Sequence, residues 1–178
     1  MSLATVFVQS YVKRALYYKQ LGDQTFAQLA EAEFHFQPGP ESNSIAVIIR
    51  HLHGNMLSRF TNFLTEDGEK EWRHRDHEFE ETPLSKEQLI QLWDEGWTCF
   101  LTAVQALTEA DLLSPITIRQ EPLTVIDALN RQLAHYPYHV GQIVYLARLQ
   151  KGDAWQSLSI PKGQSHQYHE QMKEQHKA

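Results

Sequence analysis

The stretch that most constrains the fold is VIDALNRQLAHYPYHVGQIVYLARLQ, residues 125–150. It follows Thr124, a residue type that caps helix N-termini, and it stops before Gly152, a residue type that commonly follows a helix C-terminus. We therefore predict one long helix here. One stripe of this helix, at three- and four-residue steps, consists of Ala128, Gln132, His135, His139, Gln142 and Leu146.

Two histidines on that stripe, His135 and His139, are one helical turn apart. Residues at i and i+4 share a helix face, with Cβ atoms about 5–6 Å apart, so both imidazoles can bind one metal ion. The spacing alone is a weak signal, and the alternative is a pair of core histidines hydrogen-bonded to Tyr or Gln. Burying two unpaired imidazoles is costly, and a shared metal would remove that cost.

Three further amphipathic segments precede this helix, each with apolar residues at helical spacing. The run Gln37-Pro38-Gly39-Pro40 ends the first segment, because proline lacks a backbone donor and glycine favours turns. Asn43 or Ser44 can cap the second segment, and Ser85 with Gln88 forms a capping box for the third. The predicted helices span residues 3–34, 44–64, 86–107 and 125–150.

The segments between the second, third and fourth helices are less regular. Residues 65–83 are polar and read as a long loop, a feature that is often functional in compact domains. The alternation Ile116-Thr117-Ile118 favours a short strand in a small hairpin before the last helix. The sequence thus predicts an all-α four-helix bundle over residues 1–155, followed by a polar tail, 156–178, partly docked or frayed.

Composition excludes several classes of function. The chain has 178 residues, enough for one full hydrophobic core, with a net charge of −6 that does not suit nucleic acid or an anionic membrane. No apolar run is long enough to span a membrane, and the N-terminus lacks a secretory signal. The single cysteine, Cys99, allows no intrachain disulfide. These features predict a soluble, cytoplasmic protein.

A third metal ligand is available in the second helix. His51 lies one turn after Val47 and one turn before Asn55, so it can face the core, whereas His53 projects to another side. A lone histidine on an apolar helix face is more often a core residue with a hydrogen-bond partner. Asn55 and Gln142 are candidates to orient the ligands through their free ring nitrogens, and ordinary interhelical hydrogen bonding is the alternative.

Together these residues resemble a known family. Ser44-Ile45 ahead of His51-Leu52, with the late His135-x-x-x-His139-x-Gly141-Gln142, is similar to the DinB-like superfamily, which includes the YfiT-type bacillithiol transferases. The resemblance covers roughly residues 3–152. It implies a four-helix bundle with a three-histidine metal site, one histidine coming from the second helix, and it implies a homodimer. The loop around Trp72 to Phe79 resembles an uncharacterised subfamily of that group.

The resemblance implies a metal-dependent thiol S-transferase, in which zinc, nickel or a similar divalent ion activates a small thiol toward an electrophile. The alternatives are a metal-dependent hydrolase, a non-catalytic small-molecule or stress-response binding protein, and a purely structural bundle in which the histidine pair is vestigial. Arg73 and Arg75 are candidates to bind a substrate carboxylate, since guanidinium pairs with carboxylate in a bidentate manner. Salt bridges to Glu71, Asp76 and Glu78 are the competing interpretation.

One residue departs from a regular helix. Pro137 lies between the two candidate ligands, where it removes the hydrogen bond to the carbonyl of Leu133. A kink at this position would change the angle between the two imidazoles.

Overall fold

The computed structural model describes residues 2–176. These residues form six α-helices, one antiparallel pair of strands and two short 3-10 turns. The helices are α1 (Leu3–Phe26), α2 (Glu31–Phe34), α3 (Ile45–Phe60), α4 (Lys86–Gln105), α5 (Val125–Lys151) and α6 (Ser165–Gln175). The strands are β1 (Pro115–Ile118) and β2 (Glu121–Thr124), and the 3-10 turns span Asp76–Phe79 and Gly152–Ala154.

Side-chain caps set the starts of the long helices. Ser44, Ser85 and Thr124 each accept a hydrogen bond from the backbone N–H three residues later, which satisfies a donor that has no partner within the helix. The Oε1 atom of Gln88 in turn accepts a hydrogen bond from the Ser85 backbone N–H at 2.9 Å, which completes the predicted capping box. The last long helix ends at Gly152, whose φ of 52° is a left-handed value that favours glycine. These predicted boundaries are confirmed.

The predicted first and second helices are too long. The segment expected to be helical over residues 3–34 breaks after Phe26, because the chain turns so that Phe34 can pack against Phe26, with ring centroids 5.4 Å apart. Likewise α3 ends at Phe60, since Asn62 adopts a φ of 50° and the chain turns Phe63 back onto Phe60. In both places, burial of an aromatic ring outweighs the continuation of a helix.

The four long helices enclose the hydrophobic core. Helix α1 contacts α4 and α5, and α3 contacts the same two helices, so the contacts form a closed ring. Aromatic side chains fill its centre: Tyr136 packs edge-on against Phe100 at 5.1 Å and against Trp97 at 6.0 Å. The described residues are thus predominantly helical, as the sequence predicts. No helix among them is long and apolar enough to cross a membrane.

The predicted hairpin is present, and it supports the long loop between α3 and α4. Strands β1 and β2 are joined by Arg119 and Gln120, both with positive φ, as in the turns that match the twist of a hairpin. Their backbone N–H groups donate to the carboxylate of Asp67 at 2.8 Å each. Burial would raise the pKa of Asp67, but hydrogen bonds from the backbone N–H groups of Glu69, Gln120 and Arg119 prevail and hold it at about 2. The loop is therefore fixed to the hairpin by an ionised side chain.

The chain after α5 is largely exposed. Gln156 forms a reciprocal pair of hydrogen bonds with Gln28, and Trp155 packs partly against the core. Helix α6 has no buried residue.

Candidate metal centre

Three imidazoles from two helices converge near the long loop. His51 projects from α3 and is buried, with 5% of its surface exposed, while His135 and His139 occupy adjacent turns of α5 and are half-buried. The Nε2 atom of His135 lies 3.4 Å from that of His51 and 3.1 Å from that of His139. Two ligand nitrogens of a tetrahedral zinc ion are about 3.3 Å apart. The spacing therefore fits a shared metal ion.

The partners of the other ring nitrogens determine where the lone pairs point. Nδ1 of His51 lies 2.9 Å from Oε2 of Glu78, and Nδ1 of His139 lies 2.7 Å from Oε1 of Gln142. Because an ionised carboxylate and an amide oxygen only accept hydrogen bonds, both Nδ1 atoms carry the proton in the neutral rings. Both Nε2 atoms then direct lone pairs at the centre, the arrangement that a metal ion requires.

Burial keeps the two histidines of α5 neutral. It lowers the pKa of His135 to about 3, with further lowering by the neighbouring imidazoles. It also lowers the pKa of His139 to about 4, and the bond to Gln142 opposes this shift only in part. At neutral pH, both rings are therefore unprotonated and able to act as ligands.

Glu78 is a site residue that the sequence does not indicate. From the sequence alone it is only a candidate salt-bridge partner of the two arginines. It lies on the 3-10 turn of the loop, where Arg73 holds its carboxylate through two bonds, from Nε at 2.7 Å and Nη2 at 2.9 Å. Burial would raise the pKa of Glu78, but the bonds from His51 and Arg73 lower it below its ordinary value. The sequence feature that could have indicated the ion pair is a basic residue, Arg73, five positions before an acidic one, Glu78. That spacing does not predict a contact between Glu78 and His51.

The other predicted site residues have mixed outcomes. Gln142 lies 2.7 Å from His139, through its Oε1 atom, whereas Asn55 accepts a bond from the Tyr136 hydroxyl at 3.2 Å. Arg73 forms the salt bridge that was the competing interpretation. Arg75 is exposed, with its guanidinium 5.7 Å from the centre of the Phe79 ring. Among the described residues, neither arginine forms a hydrogen bond to an imidazole.

Pro137 does not interrupt the helix. Helix α5 is continuous from Val125 to Lys151, and the two imidazoles on either side of Pro137 still face the same centre. Tyr136 points the other way, into the aromatic core. His53 lies on a different side of α3 from His51, 3.4 Å from Glu95. Among the described residues, His51, His135 and His139 are the one group of three or more potential ligands within metal-binding distance.

The fold and the site define a class: predominantly helical proteins in which two helices bring three histidines to one point. The chain belongs to the family described as "Protein of unknown function (DUF1572)", which it matches over residues 2–164. That match includes all three histidines and the loop that carries Glu78. A search of curated proteins found no match to the chain.

Proposed function

We propose that this protein binds one divalent transition-metal ion, zinc or nickel, through the Nε2 atoms of His51, His135 and His139. The observation that carries the proposal is the convergence of these atoms at 3.1 and 3.4 Å, with two of the rings oriented by acceptors at Nδ1. Three imidazoles suit zinc, nickel and copper. They also leave coordination positions open, as in catalytic zinc sites.

We also propose a specific helical architecture for the chain. The closed ring of contacts among α1, α4, α3 and α5 supports a four-helix bundle of the DinB-like type. Membership of the DUF1572 family is compatible with that assignment. The homodimer and the cytoplasmic location are part of the same proposal, and light scattering of the purified protein tests the dimer.

The activity we propose is thiol S-transfer. A bound divalent ion would favour the thiolate form of a small thiol, which is the nucleophilic form. The sulfur then forms a bond to an electrophilic carbon, the leaving group departs with its bonding pair, and the thiol proton passes to solvent. The chain's contribution is to hold three imidazoles in place, and two of these residues, His135 and His139, are only half-buried.

The environment of Glu78 supports a thiol over water as the nucleophile. Hydrolysis benefits from a free general base with a pKa near the working pH. The carboxylate that touches the histidine cluster is bound by Arg73 and His51, and its pKa is lowered, so it is a poor base. A thiol depends less on a general base to lose its proton, because its ordinary pKa is about 8.5.

Turnover separates the transferase from the alternative, a binding protein without catalysis. The assay follows alkylation of a small thiol such as cysteine by monobromobimane, which becomes fluorescent on forming the C–S bond. We expect metal-loaded protein to accelerate the reaction, and expect stripped protein and His139→Ala to leave it at the uncatalysed rate. The matched control, His166→Ala in exposed α6, should retain the parent rate. Equal rates with and without metal would contradict the transferase and leave the binding protein.

A further inference from the structure

We infer that Glu78 is a positioning residue of the metal centre: from the loop, its carboxylate sets the orientation and the proton of His51. This inference rests on the proposed function, since it concerns the same three histidines. It adds residues outside the ligand set, namely Glu78, Arg73 and Gly54, and it makes the loop between α3 and α4 part of the site.

The first support is the hydrogen bonding of the carboxylate. Glu78 and Arg73 are both 8% exposed, and the bidentate pair between them leaves the carboxylate little freedom to rotate. The Oε2 atom of Glu78, which accepts from Nη2 of Arg73, also accepts from Nδ1 of His51 at 2.9 Å. A carboxylate fixed by two guanidinium nitrogens therefore fixes the plane of the imidazole. It also keeps the proton on Nδ1, away from the metal-facing nitrogen.

The second support is the attachment of the loop to α3. Arg50, the residue before His51, donates through its guanidinium to the backbone carbonyls of His77 and Glu80. These carbonyls flank Glu78 on both sides. The ring of Phe79 lies 4.9 Å from the ring of His51, centroid to centroid. The turn that carries Glu78 is thus held on both sides of the carboxylate by the helix that carries the ligand.

The third support is the space that Gly54 provides. Gly54 lies three residues after His51 on α3, and a Cβ at this position would overlap the Glu78 carboxylate. A flexible glutamate could move aside at low cost, but this one is bound by Arg73 and His51, so moving it breaks those bonds. The glycine is needed because the carboxylate must pass close to the helix backbone. Four positions in the sequence, Arg50, Gly54, Arg73 and Glu78, thus act together on the imidazole of His51.

The inference predicts a measurable loss of metal affinity. Removing the carboxylate partner of a histidine ligand typically weakens metal binding 10–100-fold, because the ring is less basic and less well oriented. Glu78→Gln keeps an acceptor and removes the charge. Because it also leaves Arg73 buried without a counter-ion, the double variant Arg73→Met/Glu78→Gln removes both charges and protects the fold.

The test measures cobalt(II) and zinc(II) affinity by competition with a chromophoric chelator, together with the melting temperature of each stripped variant. We expect the charge-removing variants and Gly54→Ala to bind metal 10–100-fold more weakly than the parent protein. The cobalt(II) absorption bands should shift while the stoichiometry stays at one. Matched controls are Gly141→Ala, where nothing lies within 4 Å of the added Cβ, and Glu80→Gln on the exposed part of the loop. Both controls should stay within about twofold of the parent.

Two results separate this inference from the proposed function. If the parent binds metal and the folded double variant binds it within twofold, with unshifted cobalt bands, Glu78 is a structural residue and the inference is wrong. If the double variant does not fold, the metal affinities of Gly54→Ala and Gly141→Ala are compared instead. Affinities within twofold of each other, with unshifted cobalt bands, would again show that the inference is wrong. If the parent binds no stoichiometric metal, the proposed function fails and the inference fails with it.

Discussion

His51 and His139 are oriented by opposite means. Nδ1 of His139 donates to Gln142, a neutral residue three positions later on the same helix. This contact follows from helical periodicity. His51 takes its acceptor from Glu78, a charged residue 27 positions later, on a loop that folds back onto α3. The local contact holds whenever α5 is helical, whereas the distant one requires Arg50, Arg73 and Gly54 to place the loop. The partners of the two histidines therefore differ in charge and in the number of other residues needed to hold them in place.

A loop residue gives this site a charged partner for a ligand, which the ligand's own helix does not provide. A neutral amide on the ligand's own helix fixes the ring's tautomer but adds no charge. An ionised carboxylate from elsewhere adds electrostatic support for a cation, and it requires a buried counter-ion, which Arg73 supplies.

The largest expected effect is the loss of a ligand. His51→Ala and His139→Ala should each weaken zinc binding by more than about 100-fold, because a ligand contributes more than the residue that orients it. Elemental analysis of dialysed protein should then find metal only in the parent and in His166→Ala, which alters an exposed histidine of α6. Full occupancy in both ligand variants would rule out the three-histidine site.

Acid should destabilise the metal-free protein through the same rings. The unfolded histidines have a pKa near 6.5, while His135 and His139 in the fold have values of about 3 and 4. As the pH falls from 6.5 toward 3, the unfolded chain gains protons that the fold does not, so stability falls over this range. Urea unfolding at pH 7 and pH 5 measures the loss, which should be smaller in His135→Gln/His139→Gln. An equal loss in that variant would assign the effect to other groups.

A smaller effect should follow from changing Gln142. Gln142→Leu removes the acceptor for His139 Nδ1 and should weaken zinc binding roughly 3–10-fold, less than the change at Glu78, because no charge is lost. Gln142→Glu should restore the affinity or exceed it, since it gives His139 the kind of partner that His51 has. Chelator competition measures both. A greater loss at Gln142 than at Glu78 would reverse the comparison between the two histidines.

The smallest expected effect on metal binding is that of Pro137→Ala. Alanine restores a donor for the Leu133 carbonyl, so we expect the free energy of unfolding to rise by up to about 3 kcal/mol. Zinc affinity should change by no more than about twofold, because the two imidazoles already face one centre across Pro137. A larger change in affinity would show that the proline sets the angle between the ligands.

Periodicity and capping chemistry made much of this structure predictable. Ser44, Ser85 and Thr124 mark the starts of three long helices, and the stripe of α5 brings His135, His139 and Gln142 to one side. These features depend on residues within a few positions of each other, which is the range that a helical repeat describes.

The remainder depends on contacts between distant residues. The breaks after Phe26 and Phe60 arise because aromatic rings turn back into the core, and Asn55 is drawn to Tyr136, 81 positions away. Glu78 lies in a polar loop without periodicity, so no local pattern indicates which helix it will meet. Sequence therefore predicted the candidate ligands but missed the charged residue that orients one of them.

X-ray absorption spectroscopy of the zinc-loaded protein tests the central claim most directly, because it counts and identifies the ligands. We expect three imidazole nitrogens at about 2.0–2.1 Å and the remaining position or positions filled by light atoms from solvent. A sulfur at about 2.3 Å, or fewer than three imidazoles, would contradict a site made of His51, His135 and His139.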